Sequence, residues 1–83
     1  PKLAWAKEHL LHEPIELNGA TRLELLRVPG IGPRSADAIL RARRQGRLRD
    51  LGDLRTLGAV ASRAAPFVLL DGRRPPQQLA FWD

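Results

Sequence analysis

Cysteine is missing from all 83 residues, so the chain holds no disulfide framework, no thiolate metal site and no iron–sulfur cluster of its own. No apolar run approaches the length of a membrane span or of a signal-peptide core. Lysine is absent from residues 27–63, although nine arginines lie there. The expectation from these gaps is a soluble, cytoplasmic protein with one domain and a single modest core. Opening on Pro1 rather than Met, the sequence reads as a piece of something longer.

What is present is charge, unevenly spread. The net charge is +5 and the isoelectric point about 11.3. Residues 1–26 carry three bases and four acids, residues 27–63 nine arginines and three acids, and residues 64–83 two of each. The whole positive excess therefore sits in the middle segment, all of it arginine. Arginine presents a planar fork of donors that suits phosphate, where lysine acts more as a point charge. An ordinary solvated arginine face is the plain alternative.

Along the chain, KLAWAKEHLLH places Leu3, Ala6 and Leu10 on one stripe, widened by Trp5 and Leu11, and predicts a short amphipathic helix ending at Pro14. PIELN follows as an extended linker. Thr21 and Glu24 form a capping box for a helix expected to bury Leu23, Leu25 and Leu26 and to stop at Val28, before Pro29. Pro33 suits the first position of the next helix, which runs to about Arg44 with Ala36, Ile39, Leu40 and Arg43 inward or edgewise and Gly46 as its stop. Shifted by 28 residues, LRVPGIG overlies LRTLGAV and Ala36 overlies Ala64, so the core reads as two helix–turn–helix units. Asp50, with Asp53 beyond it, caps the second unit; Pro66 closes it, and FVLL covers the core. The fold class expected is all-α, five short helices. It divides into an N-terminal helix over 1–14, a paired-hairpin domain over 15–72 and a flexible tail over 73–83.

The stretch VPGIGPRSA carries the chemistry. A tight turn entering a helix leaves main-chain N–H groups free at the positive end of the helix dipole, a ready seat for an anion. Glycine at positions 30 and 32 keeps side chains from holding that anion away. Ile31 locks the turn between the helices, Arg34 reaches the same anion, and Ser35 adds a hydroxyl donor. Gly58, Ala59, Ser62 and Arg63 are the equivalent positions of the second unit, with Val60 where the second glycine would be. Arg41 and Arg44 add long-range attraction. Contacts of this kind go to phosphate and fix position without reading sequence.

LLRVPGIGPRSADAILRAR resembles a helix-hairpin-helix motif, two helices joined by a Gly-hydrophobic-Gly hairpin, as in many DNA repair and recombination proteins. IELNGATRLELLRVPGIG with RDLGDLRTLGAV is similar to the tandem form of bacterial competence DNA receptors. The resemblance spans about residues 15–68. It implies a bundle akin to sterile-alpha-motif domains that grips double-stranded or branched DNA without sequence preference, in the bacterial nucleoid. Pro29, Gly30, Ile31, Gly32, Arg34 and Ser35 would be the main contact. Leu57 and Val60 depart from the pattern, which leaves the second hairpin a weaker contact or a structural support. The opening PKLAWA and its spacing to the hairpin also resemble the C-terminal domain of a group of bacterial radical-SAM proteins of DNA modification or repair. Gln78, Leu79, Phe81 and Trp82, in QLAFW, are similar to the pentapeptide by which bacterial replication and repair proteins dock on the sliding clamp.

Two readings compete with DNA binding. A helical module of this size also serves as a protein–protein interaction domain, though that role needs neither the arginine focus nor a doubled glycine. Base-excision glycosylases place a catalytic Asp where Asp50 and Asp53 fall, but helix capping explains both. His9 and His12, with Glu8 and Glu13, read as solvated helix residues rather than metal ligands. The expectation is therefore a monomeric binding module, with no catalytic residue, metal or cofactor in this chain and no membrane partner.

Overall fold

The computed structural model describes residues 1–75. Thr21 accepts from the Glu24 N–H at 3.2 Å while the Glu24 carboxylate accepts from the Thr21 N–H at 2.8 Å, so the expected capping box starts helix α2, Arg22–Leu26. Gly32 caps α3, Pro33–Ala42, with Pro33 at the first helical position. Asp50 accepts from the Asp53 N–H at 3.0 Å and starts α4, Leu51–Thr56. Before these lies α1, Lys2–His9; after them come α5, Ala61–Ala64, and a 3-10 turn over Ala65–Phe67.

The fold departs from all-α in one respect. Strand β1, Ile15–Glu16, pairs in parallel with β2, Val68–Leu69, so the linker and the apolar closing segment form a tiny sheet. The Leu17 N–H extends it onto the Leu69 carbonyl at 3.0 Å. Glu16 then fastens the following turn. Its carboxylate accepts from the Asn18 N–H at 3.0 Å, the Asp71 N–H at 3.1 Å and the Gly72 N–H at 2.6 Å. The chain stays on the body through residue 75: an Arg74 guanidinium N–H donates to the Leu11 carbonyl at 2.8 Å, and Pro75 is buried.

The core gathers residues from all five helices, the 3-10 turn, β2 and the turns between them: Ala6 and Leu10, Leu17, Leu25, Val28, Ile31, Ala36, Ile39, Leu54, Ala61, Ala64, Phe67 and Val68. Phe67 and Val68 fill it as the FVLL reading expects. Three expectations are corrected. Leu23 is 62% exposed, because in a helix of a turn and a half Leu25 and Leu26 take the inner face. Leu3, Trp5 and Leu11 stay more than a third exposed, so only Ala6 and Leu10 bring buried apolar side chains from α1 and its C-cap. Gly46 is not left-handed; α3 unwinds through tight turns, with the Gln45 and Gly46 N–H groups both on the Ala42 carbonyl. Arg43 does lie edgewise, donating to the Leu17 carbonyl at 2.9 Å.

Candidate nucleic-acid interface

Between α2 and α3 the chain reverses through a β-turn. Pro29 and Gly30 hold its centre and the Ile31 N–H closes on the Val28 carbonyl at 3.1 Å. Gly30 has φ +88°, the positive value that a type II turn demands at its third residue. Ile31 is fully buried and locks the turn, as the sequence implies. Gly32 is extended, and its N–H donates to the Ser35 hydroxyl at 2.9 Å, which donates back to the Gly32 carbonyl at 3.2 Å. The Ser35 side chain is therefore a buried cap rather than the outward donor expected. The main-chain N–H groups of Arg34 and Ser35, in the first turn of α3, have no partner among the described hydrogen bonds, and the Arg34 side chain is exposed.

The two glycines differ in kind. A Cβ on Gly30 would stand 2.5 Å from the Val60 carbonyl oxygen and 3.2 Å from the Arg63 Cβ. Gly30 is thus fixed by the fold, not by the bareness expected of it. A Cβ on Gly32 would meet nothing within 4 Å, and its φ of −105° suits any residue. Of these two, it is Gly32 that keeps backbone bare without a structural reason.

Residues 51–64 form a second helix–turn–helix against the first, joined by the Val60 N–H on the Gly30 carbonyl at 2.9 Å. Gly58 has φ +93°, matching Gly30 in register, but here α4 ends in a Schellman motif. The Ala59 N–H reaches the Leu54 carbonyl at 3.1 Å and the Gly58 N–H the Arg55 carbonyl at 3.0 Å. Ala59 is buried, in the role of Ile31; Ser62 and Arg63 are exposed. Helix α5 is a single turn, so this hairpin lacks the dipole that α3 brings.

The remaining arginines are dispersed. Arg41 lies seven residues beyond Arg34 on nearly the same face of α3, about 10 Å along the axis, and Arg44 lies further still. Neither meets the hairpin. The Arg22 hydrogen bond at 2.8 Å holds the Asp37 carboxyl below its ordinary 3.8, and Arg41 adds to that pull, so part of the Arg41 charge is answered within the protein. Arg27, counted with the middle charge, lies over the Trp5 ring 5.2 Å from its centroid. The sequence gives no sign of Lys2 at the hairpin, yet its ammonium donates to the Ile31 carbonyl. Among the described residues no three His, Cys, Asp or Glu gather as metal ligands, and no helix is long and apolar enough to cross a membrane. Gln78, Leu79, Phe81 and Trp82 lie outside the described residues.

Two helices joined by a glycine-bearing hairpin, with an apolar plug and free N–H groups at the second helix, define a class of small helical modules that commonly bind nucleic acid. A family model described as helix-hairpin-helix motif matches residues 12–65, more than half of the chain, and the chain belongs to that family. No curated protein and no solved structure matches it.

Proposed function

We propose that this chain is a tandem helix-hairpin-helix module that binds the sugar-phosphate backbone of double-stranded or branched DNA without reading sequence. In this reading it anchors a larger bacterial repair or modification protein to DNA and performs no chemistry itself. One observation carries the reading. Gly32 needs no glycine for the fold, yet bare backbone there leaves the unpartnered Arg34 and Ser35 N–H groups open beside an exposed guanidinium. The arginine excess of residues 27–63 supplies the sign of charge that draws phosphate.

Gly32→Val is the test, because position 60 already holds valine at the equivalent capping place. The variant keeps the helical spectrum and melting temperature, while affinity for a labelled duplex falls several-fold. With roughly two to four phosphates neutralised, log affinity falls with log salt at a slope near −2 to −4, alike on two unrelated duplexes. A protein-interaction module instead shows no duplex binding and an unchanged Gly32→Val. The clamp reading of the tail has a separate check: a peptide of residues 75–83 binds a bacterial sliding clamp, and Leu79→Ala with Phe81→Ala abolishes it.

A further inference from the structure

A groove of about 290 Å³ opens at the first hairpin, lined by residues 29–32 together with Lys2, Leu3 and Arg63. The Lys2 ammonium donates one of its three N–H groups to the Ile31 carbonyl, which leaves two for a ligand. Arg63 comes from a different unit of the fold, and the close packing of its Cβ on Gly30 brings it to the same groove. Neither cation has an acidic partner among the described residues; the ion pairs there involve Glu8, Asp37 and Asp71. The two charges oppose each other. Burial first, and then the Arg63 guanidinium, hold the Lys2 ammonium below its ordinary 10.5. Two uncompensated cations lining one groove over hairpin backbone, close enough to repel, are an arrangement that one anion bound by both relieves.

We propose that Lys2 and Arg63, from the first helix and from the second hairpin, close on a single DNA phosphodiester seated at residues 30–32. This rests on the DNA-binding reading and extends it. Helix α1 becomes part of the grip, and the second hairpin contributes through its arginine rather than through a phosphate of its own. Lys2 holds its place because its carbonyl partner is the hairpin itself, so the same bond that orders the ammonium aims it.

Fluorescence anisotropy of a labelled duplex, titrated with the 83-residue protein between about 50 and 200 mM salt, tests it with Lys2→Met, Arg63→Gln and the double variant. Each single variant weakens binding about three- to ten-fold at the lower salt. Either cation alone still neutralises the one phosphate, so the salt slope holds in each single variant and drops by about 0.9 only in the double. Lys2→Arg restores binding, which separates lost charge from lost folding, and circular dichroism confirms the helices throughout. A slope loss of about 0.9 in each single variant and about 1.8 in the double means two separate phosphates and overturns the proposal. Wild-type affinity in all variants overturns it too, while Gly32→Val still weakens binding and preserves the DNA reading. If the wild-type protein binds no duplex, the DNA reading falls and the shared seat falls with it.

Discussion

Glycines 30, 32 and 58 show one residue type under three different sets of physical constraints. Gly58 pays only a backbone demand: φ is +93° and a Cβ there meets nothing within 4 Å. Gly58→Ala therefore costs the strain of a left-handed residue, about 1–2 kcal/mol. Gly30 adds a steric demand, because a Cβ would press on the Val60 carbonyl that sits where the two hairpins meet. Strain and overpacking together make Gly30→Ala cost about 2–5 kcal/mol. Gly32 carries neither demand, and Gly32→Ala costs at most about 1 kcal/mol, through the poorer cap that alanine makes. Urea denaturation of the three variants checks the ranking of 30 over 58 over 32. Equal losses at 30 and 32 would show that the contact between the hairpins is not the reason for Gly30. The sequence shows the doubled glycine but cannot tell these cases apart, since the Val60 carbonyl comes from thirty residues away.

At the scale of elements, what was legible is what is local. The Thr21 box, Pro33 at the first turn and the Asp50 cap are each written within four residues of chain, and each forms as read. The sheet was not legible, because two-residue strands have no alternation to detect and their partners lie 53 positions apart, Ile15 to Val68. Leu23 was misjudged because α2 is too short for period to choose between neighbouring leucines. The Lys2 contact with Ile31 spans 29 residues and leaves no local sign. Glu16 shows what the unseen sheet contributes. Burial works against its charge, but the N–H groups of Asn18, Gly72 and Asp71 outweigh burial and hold the carboxyl below its ordinary 4.5. A carboxyl lowered in the folded state contributes stability that is whole above the unfolded value and drains away as pH falls through the folded one. Glu16→Gln thus loses about 1–2 kcal/mol at neutral pH. The gap from wild type in melting temperature narrows steadily as pH falls below about 4.5. A gap that stays constant into acid would mean the carboxylate charge plays no part in fastening residues 71–72.

Across the whole molecule, charge acts in two ranges, and salt separates them. In the proposed reading, bare backbone at Gly32, with the Arg34 and Ser35 N–H groups, would work only at contact and lose little to screening. Arg41 and Arg44 lie about 10 Å or more along the helix axis from Arg34, and in the proposed reading they would act on DNA through the field alone. The Debye length is about 30 Å at 0.01 M salt but about 8 Å at 0.15 M, so their pull reaches the hairpin in the first condition and is largely screened in the second. Replacing both by glutamine therefore lowers duplex affinity several-fold at low salt, mainly through slower association, and leaves it near wild type at physiological salt. Gly32→Val behaves oppositely, weakening binding at both salts by a faster dissociation. Stopped-flow association and dissociation rates at the two salts distinguish the patterns. If the Arg41→Gln, Arg44→Gln protein lost affinity equally at both salts, those arginines would be touching phosphate, and the bound duplex would have to run along α3 instead of crossing at its N-terminal end.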